Sequence, residues 1–150
     1  MNKRFAVILL AACISSLVFA KENLDTAVYN ASIDIITYCE KNSVIVVDDF
    51  TSPSKNLTLY IREQLADVIF SNSRTIKIVT RDRMGIVEKE LKFQNSGVAD
   101  VDSIISVAGR LGASSIVFGS FDEFDSGYAL RVQMLDVKTG AYLFRKTYSF

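Results

Sequence analysis

Asp48 and Asp49 stand side by side at the end of a β-branched run, and Asp122 and Glu123 repeat the pairing later in the chain. Two carboxyl groups that face one another across a cleft can hydrolyse a glycosidic bond, hold a divalent cation or share a proton. Adjacent strand residues point to opposite faces, so neither pair makes a site by itself. Asp48 and Asp49 serve more simply to cap the turn at Thr51 to Ser54. The 150 residues include no histidine, which removes the commonest general base, the commonest zinc ligand and any Ser-His or Cys-His nucleophile pair. Two cysteines, Cys13 and Cys39, are too few for a four-thiolate metal site. Seventeen basic and seventeen acidic side chains leave no net field to recruit nucleic acid. No catalytic, cofactor-binding or metal residue is assigned, and a cell-wall glycosidase working with carboxylates alone is the catalytic alternative that remains.

The first twenty residues read as an address. Lys3 and Arg4 precede sixteen uncharged residues, Phe5 to Ala20, which end in Val18-Phe19-Ala20 before Lys21. This is the layout of a secretory signal, and as a helix it rises about 24 Å, short of a comfortable bilayer span. Cleavage after Ala20 leaves residues 21–150 as the mature domain. A second processing route competes, because Leu10-Ala11-Ala12-Cys13 resembles a lipobox: residues 1–12 would then be the lipoprotein signal and Cys13 the lipidated first residue. Cys39, on a helix face, reads as a small buried hydrophobe.

The remaining pattern must supply a scaffold. Leu24, Ala27, Val28, Ala31, Ile35, Tyr38 and Cys39 recur at helical spacing. Val44 to Phe50 begins as a continuous apolar run, as expected of a central strand buried on both faces. Leu57 to Ile69 marks a second helix, Thr75 to Thr80 a short strand, and Arg81 to Lys92 a third helix. Asp100 or Asp102 caps a fourth, with Val101, Ile104, Ile105, Ala108 and Leu111 as its stripe. Three strands follow: Ser115 to Phe121, Tyr128 to Met134 and Ala141 to Phe150, the last placing Tyr142, Phe144, Tyr148 and Phe150 on one face and Arg145 and Thr147 on the other. The order α-β-α-β-α-α-β-β-β implies an α/β fold, a single-domain mixed β-sheet packed with helices.

Several short motifs have structural readings. Gly109 and Gly112 let a helix end approach a neighbouring strand, with Gly112 as a left-handed stop; Gly119 inside a strand signals a bulge or close contact, and Gly140 closes a hairpin turn. Gly109-Arg-Leu-Gly112 closes a helix instead of opening one, so it is no phosphate loop. Arg83 belongs to a charge cluster at a strand-to-helix junction. Phe93-Gln94-Asn95-Ser96-Gly97 breaks a helix, and its Phe93, Gln94 and Ser96 either dock a partner or tie the loop to the sheet.

Together these strings resemble the CsgG and LpoB-like bacterial envelope domains, whose fold is akin to the TolB amino-terminal domain. The matching segments are Val44 to Phe50, Val79 to Arg83, Glu88 to Gly97, Ala108 to Gly119 and Leu135 to Gly140, in family order. The resemblance implies a non-catalytic exported protein of the periplasm or the periplasmic face of the outer membrane. Its partner would be an envelope protein: a penicillin-binding protein, as for LpoB-like activators, or an outer-membrane assembly component. The pore-forming version typical of CsgG-like members would need an extra pair of roughly 10-residue transmembrane strands, for which residues 44–150 leave no room. The long Pro-rich tether frequent in LpoB-like activators is also missing. An oligomeric structural subunit of an outer-membrane or flagellar accessory assembly is the alternative.

Overall fold

The computed structural model describes residues 23–79 and 101–150. The leader with Cys13, the expected helix from Arg81, and the segment holding Arg83, Phe93, Gln94, Ser96 and Gly97 lie outside the described residues.

Helix α1 (residues 23–38) buries Leu24, Ala27, Val28, Ala31 and Ile35, a stripe set by spacings of three and four. Asn42, at φ +64°, turns the chain into β1 (Val44–Thr51); asparagine is among the few residues that tolerate this left-handed conformation. Ser54 then caps α2 (Lys55–Asn72), its Oγ accepting the Leu57 N–H at 3.2 Å. Thr58 Oγ1 donates to the Phe50 carbonyl at 2.8 Å, fixing the first turn of the helix to the end of β1. Ile61, Leu65 and Ile69 are the buried row of α2. The remaining elements are β2 (Lys77–Val79), α3 (Val101–Arg110), β3 (Ser115–Phe124), β4 (Gly127–Asp136) and β5 (Tyr142–Ser149).

The strands form one sheet in the order β2-β1-β3-β4-β5. β1 is parallel to both neighbours, while β3, β4 and β5 make an antiparallel meander. An interior parallel strand is covered on both faces, which is why Val44 to Val47 carries no alternation. On one face α1 and α2 pack over Ile45, Val47, Phe50, Val117, Leu130, Val132, Met134 and Phe144. On the other, α3 brings Val107 and Ala108 against Val46, Ala113 and Ile116.

Three local features depart from the sequence expectation. β3 continues through Asp122, Glu123 and Phe124, because these residues pair with Ala129, Tyr128 and Gly127 although their own pattern is polar. In β5, Met134 pairs with Phe144 but Leu135 with Tyr142, so one extra residue breaks the register. Tyr142 thereby leaves the face of Phe144 and Tyr148; it is 57% exposed and lies beneath the Arg145 guanidinium, 5.8 Å from its ring centroid. The third departure concerns Asp48 and Asp49. They sit within β1 at a bulge, where Val47 pairs with Val117 and Phe50 with Gly119, and the capping hydroxyl is that of Ser54.

The bulge has a packing consequence. Strict alternation from Val47 would send Phe50 to the α3 face; the inserted residue returns it to the α1/α2 core, where it is buried. Its ring occupies the space over Gly119. A Cβ at Gly119 would meet the Arg131 carbonyl oxygen at 1.9 Å and Phe50 Cε1 at 2.7 Å, so only glycine fits. Gly112 is different: a Cβ there would meet open space, and its φ of +73° is what calls for glycine. Of the two helix-end glycines, only Gly109 approaches a neighbour, with 3.4 Å to Val137 Cγ1.

Candidate functional site

The two sheet faces offer different materials. Between α3 and the sheet lies a cavity of about 150 Å³ lined by Ile104, Ile105, Ile116, Phe118 and Leu135, with Asp48, Asp49 and Thr51 at its polar edge. Its walls suit a small apolar group. Asp48 is buried in the strand. The Asp49 carboxylate instead accepts from Arg62 Nη1 of α2 at 2.8 Å, and Arg62 also lies 3.6 Å from Glu63. The bulge thus leaves both acids at the edge of one cavity, with Asp48 buried in the strand and Asp49 held by Arg62.

The second acidic pair, in a regular part of β3, is divided by the pleat. Asp122 accepts from Ser120 Oγ at 2.9 Å and lies 4.0 Å from Arg131, whereas Glu123 points to the opposite face, across from Tyr128. Among the described residues no three acidic or thiol side chains come together as a metal site. Cys39 is half-buried, and burial pushes its thiol above the ordinary value. A thiol held neutral in this way is a poor nucleophile.

The strongest polar constellation joins α1 to β5. Lys146 Nζ and Tyr148 Oη both donate to Asp34 Oδ2, each at 2.6 Å. The Lys146 hydrogen bond, then that of Tyr148, holds the Asp34 carboxyl below its usual range, while burial and the Asp34 charge push the Tyr148 phenol strongly upward. Charge-assisted bonds of this length are among the stronger ones in proteins. A second tie links the helices: Tyr60 of α2 donates to Asp25 of α1, and burial together with that carboxylate pushes its phenol up to about 12. Both constellations lock the covering layer in place, and neither brings a nucleophile to a base.

Asp34 received no role in the sequence reading. Its signal was present, because Asp34 flanks the α1 stripe one turn from Tyr38 while Tyr148 shares its strand face with Phe144. Only the tertiary docking of α1 along β5 joins them, as Tyr38 and Phe144 show with ring centroids 5.2 Å apart. The same face ends in an aromatic cluster of Phe121, Tyr128 and Phe150, with centroid separations of 5.5 to 6.3 Å. On the molecular surface, Tyr29, Tyr38, Phe70, Phe124, Tyr142 and Leu143 are exposed large apolar side chains. Such residues are the usual anchors of protein interfaces when they gather in one patch. Tyr142 and Leu143 open β5, and Tyr38 lies against Phe144 of the same strand.

Comparison with solved structures identifies the fold. The carboxy-terminal domain of LpoB from Escherichia coli superposes with a TM-score of 0.69 at 16% sequence identity, covering 85% of this chain and 97% of that one. The corresponding domain from Salmonella enterica gives a TM-score of 0.62 at 19% identity, over 75% and 84% of the two chains. Lipoprotein GNA1162 from Neisseria meningitidis gives 0.50 at 14% identity, over 72% and 79%. The chain therefore has the CsgG/LpoB-like fold, a single mixed α/β domain. No protein-family model and no curated protein sequence matches it.

Proposed function

We propose that this chain is an exported, non-catalytic envelope protein that binds a protein partner, acting as a regulator or assembly factor of cell-wall synthesis or of outer-membrane machinery. The observation that carries the reading is the match to the LpoB carboxy-terminal domain over nearly all of that domain. Two further features support it. The amino-terminal twenty residues have the layout of an export signal, and of the candidate carboxylates Asp49 is tied to Arg62 and Asp122 to Ser120, while Glu123 turns to the face opposite Asp122.

The experiment is cross-linking in living cells followed by capture of the chain through a carboxy-terminal tag. The expected result is one envelope protein in near-stoichiometric amount, a penicillin-binding protein or an outer-membrane assembly component. Intact mass of the same sample distinguishes an amino terminus at Lys21 from a lipidated Cys13. Recovery of the uncleaved chain from the cytosol would overturn the reading, and release of sugar from peptidoglycan by the purified chain, lost on Asp48→Asn, would replace it with the carboxylate-only glycosidase.

A further inference from the structure

β5 is an eight-residue edge of the sheet, against three residues for β2 at the other edge. Which of its backbone groups face outward follows from the ladder. Tyr128 and Phe150 exchange both hydrogen bonds, N–H to carbonyl, at 2.7 and 2.9 Å. Bonded and non-bonded pairs alternate along an antiparallel ladder. Leu130 with Tyr148, Val132 with Lys146 and Met134 with Phe144 are therefore bonded pairs. Arg145, Thr147 and Ser149 consequently turn their N–H and C=O groups away from β4, where no described residue receives them.

Exposed edges are ordinarily blunted by charge. Here the two charges are engaged within the chain. Lys146 bonds Asp34 at 2.6 Å, and the Arg145 guanidinium lies over Tyr142. An added antiparallel strand must present its own outward groups to residues 145, 147 and 149. A second copy of β5 does so about a twofold axis at Thr147. Thr147 then faces its counterpart, Arg145 faces Ser149, Lys146 faces Tyr148 and Phe144 faces Phe150. Axes at Arg145 or Lys146 would set like charges opposite one another, which is destabilising; an axis at Tyr148 shortens the overlap.

The geometry points to a self-complementary homodimer in which the β5 strands of two copies pair antiparallel about Thr147, making one continuous sheet. Each Lys146 meets the other copy's Tyr148 while keeping Asp34 beside it, so two ammonium groups share the dyad with two carboxylates. The match is specific to this chain's own sequence, because no pair in that register sets like charges opposite one another: Lys146 lies beside an aromatic ring, Arg145 opposite a serine hydroxyl, and the remaining pairs are neutral. Each bonded pair about the axis exchanges two backbone hydrogen bonds, and the exposed Tyr142 and Leu143 belong to the same strand.

The test is light scattering on the purified chain as it is recovered from cells, with two variants. Thr147→Pro removes an outward N–H without breaking any bond to β4, so the expected result is a dimer for the parent and a monomer for the variant, with unchanged circular dichroism. Thr147→Cys places two thiols on a bonded pair whose Cα atoms lie about 5.5 Å apart, within disulfide reach; oxidation should give a covalent dimer in which both linked peptides carry residue 147. A parent that is monomeric at roughly millimolar concentration, well above the range of ordinary specific pairing, overturns the proposal. So does a dimer that survives Thr147→Pro and does not cross-link through residue 147. Should the proline variant misfold, the cross-link still decides. A monomer leaves the envelope-partner reading untouched, since that reading needs no second copy.

Discussion

The two faces of the sheet are built to different standards. The α1/α2 face is a continuous packed layer, with Ile35, Ile61, Leu65, Leu130 and Met134 fully buried and two tyrosine–aspartate bonds locking the helices. The α3 face holds a smaller cluster and, beside it, a cavity of about 150 Å³. Among the described residues, most of the fully buried side chains lie on the first face. The second has room to adapt, because a cavity already withholds contacts from the side chains around it.

That contrast can be broken experimentally, and the largest effect should come where the faces meet. Gly119→Val forces a side chain onto the Arg131 carbonyl and the Phe50 ring; a loss of more than about 4 kcal/mol is expected, read as disappearance of the cooperative thermal transition. A normal melting curve would refute the close approach. Next, truncation should be dearer on the packed face. Leu65→Ala is expected to cost about 3 kcal/mol and Ile116→Ala, which borders the cavity, about 2. Equal midpoints in urea would erase the distinction.

Enlargement sharpens the comparison from the opposite direction. Ala31→Leu overpacks a fully buried position of α1 and should cost about 1–3 kcal/mol, whereas Ile104→Phe extends into the cavity and should change stability by less than about 1. The smallest effect concerns the lock between α1 and β5. Asp34 is ionised more easily in the folded chain than in the unfolded one. Its contribution is therefore present above the unfolded carboxylate pKa of about 3.9 and is lost as pH falls through the lower folded value. Tyr148 works in the opposite sense: its folded pKa is raised, so its share is complete below about pH 10 and fades as pH rises past the unfolded value. Asp34→Asn should cost about 1 kcal/mol at neutral pH and flatten the acid limb of the stability profile. An unchanged acid limb would show that the bond contributes nothing.

Most of the scaffold was legible because its signals are local. The α1 stripe, the unbroken apolar run of β1 and the left-handed Gly112 each depend on a few neighbouring residues. The α/β class and strand sequence followed from these. What escaped was set by partners distant in sequence. Asp122 to Phe124 are strand residues only because Tyr128 and Ala129 stand opposite them. The bulge at Asp48-Asp49 is invisible until Phe50 must reach the same core as Val47, and the extra residue in β5 turns Tyr142 away from a face that simple alternation assigned to it. For the acidic pairs, alternation alone says that neighbouring carboxylates face apart, whereas the bulge places Asp48 and Asp49 at the edge of the same cavity. Asp34 went unnoticed because its significance depends on Lys146 and Tyr148, more than a hundred positions away.

That separation bears on the order in which the domain is completed. Helix α1 leaves the ribosome or a translocation channel more than a hundred residues ahead of the strand that fastens it. Until β5 has joined the meander, the apolar stripe of α1 has only part of its seat and neither of the Asp34 bonds. Completion of the α1 seat therefore waits on a strand made more than a hundred residues later, so the lock can close only once the meander is in place.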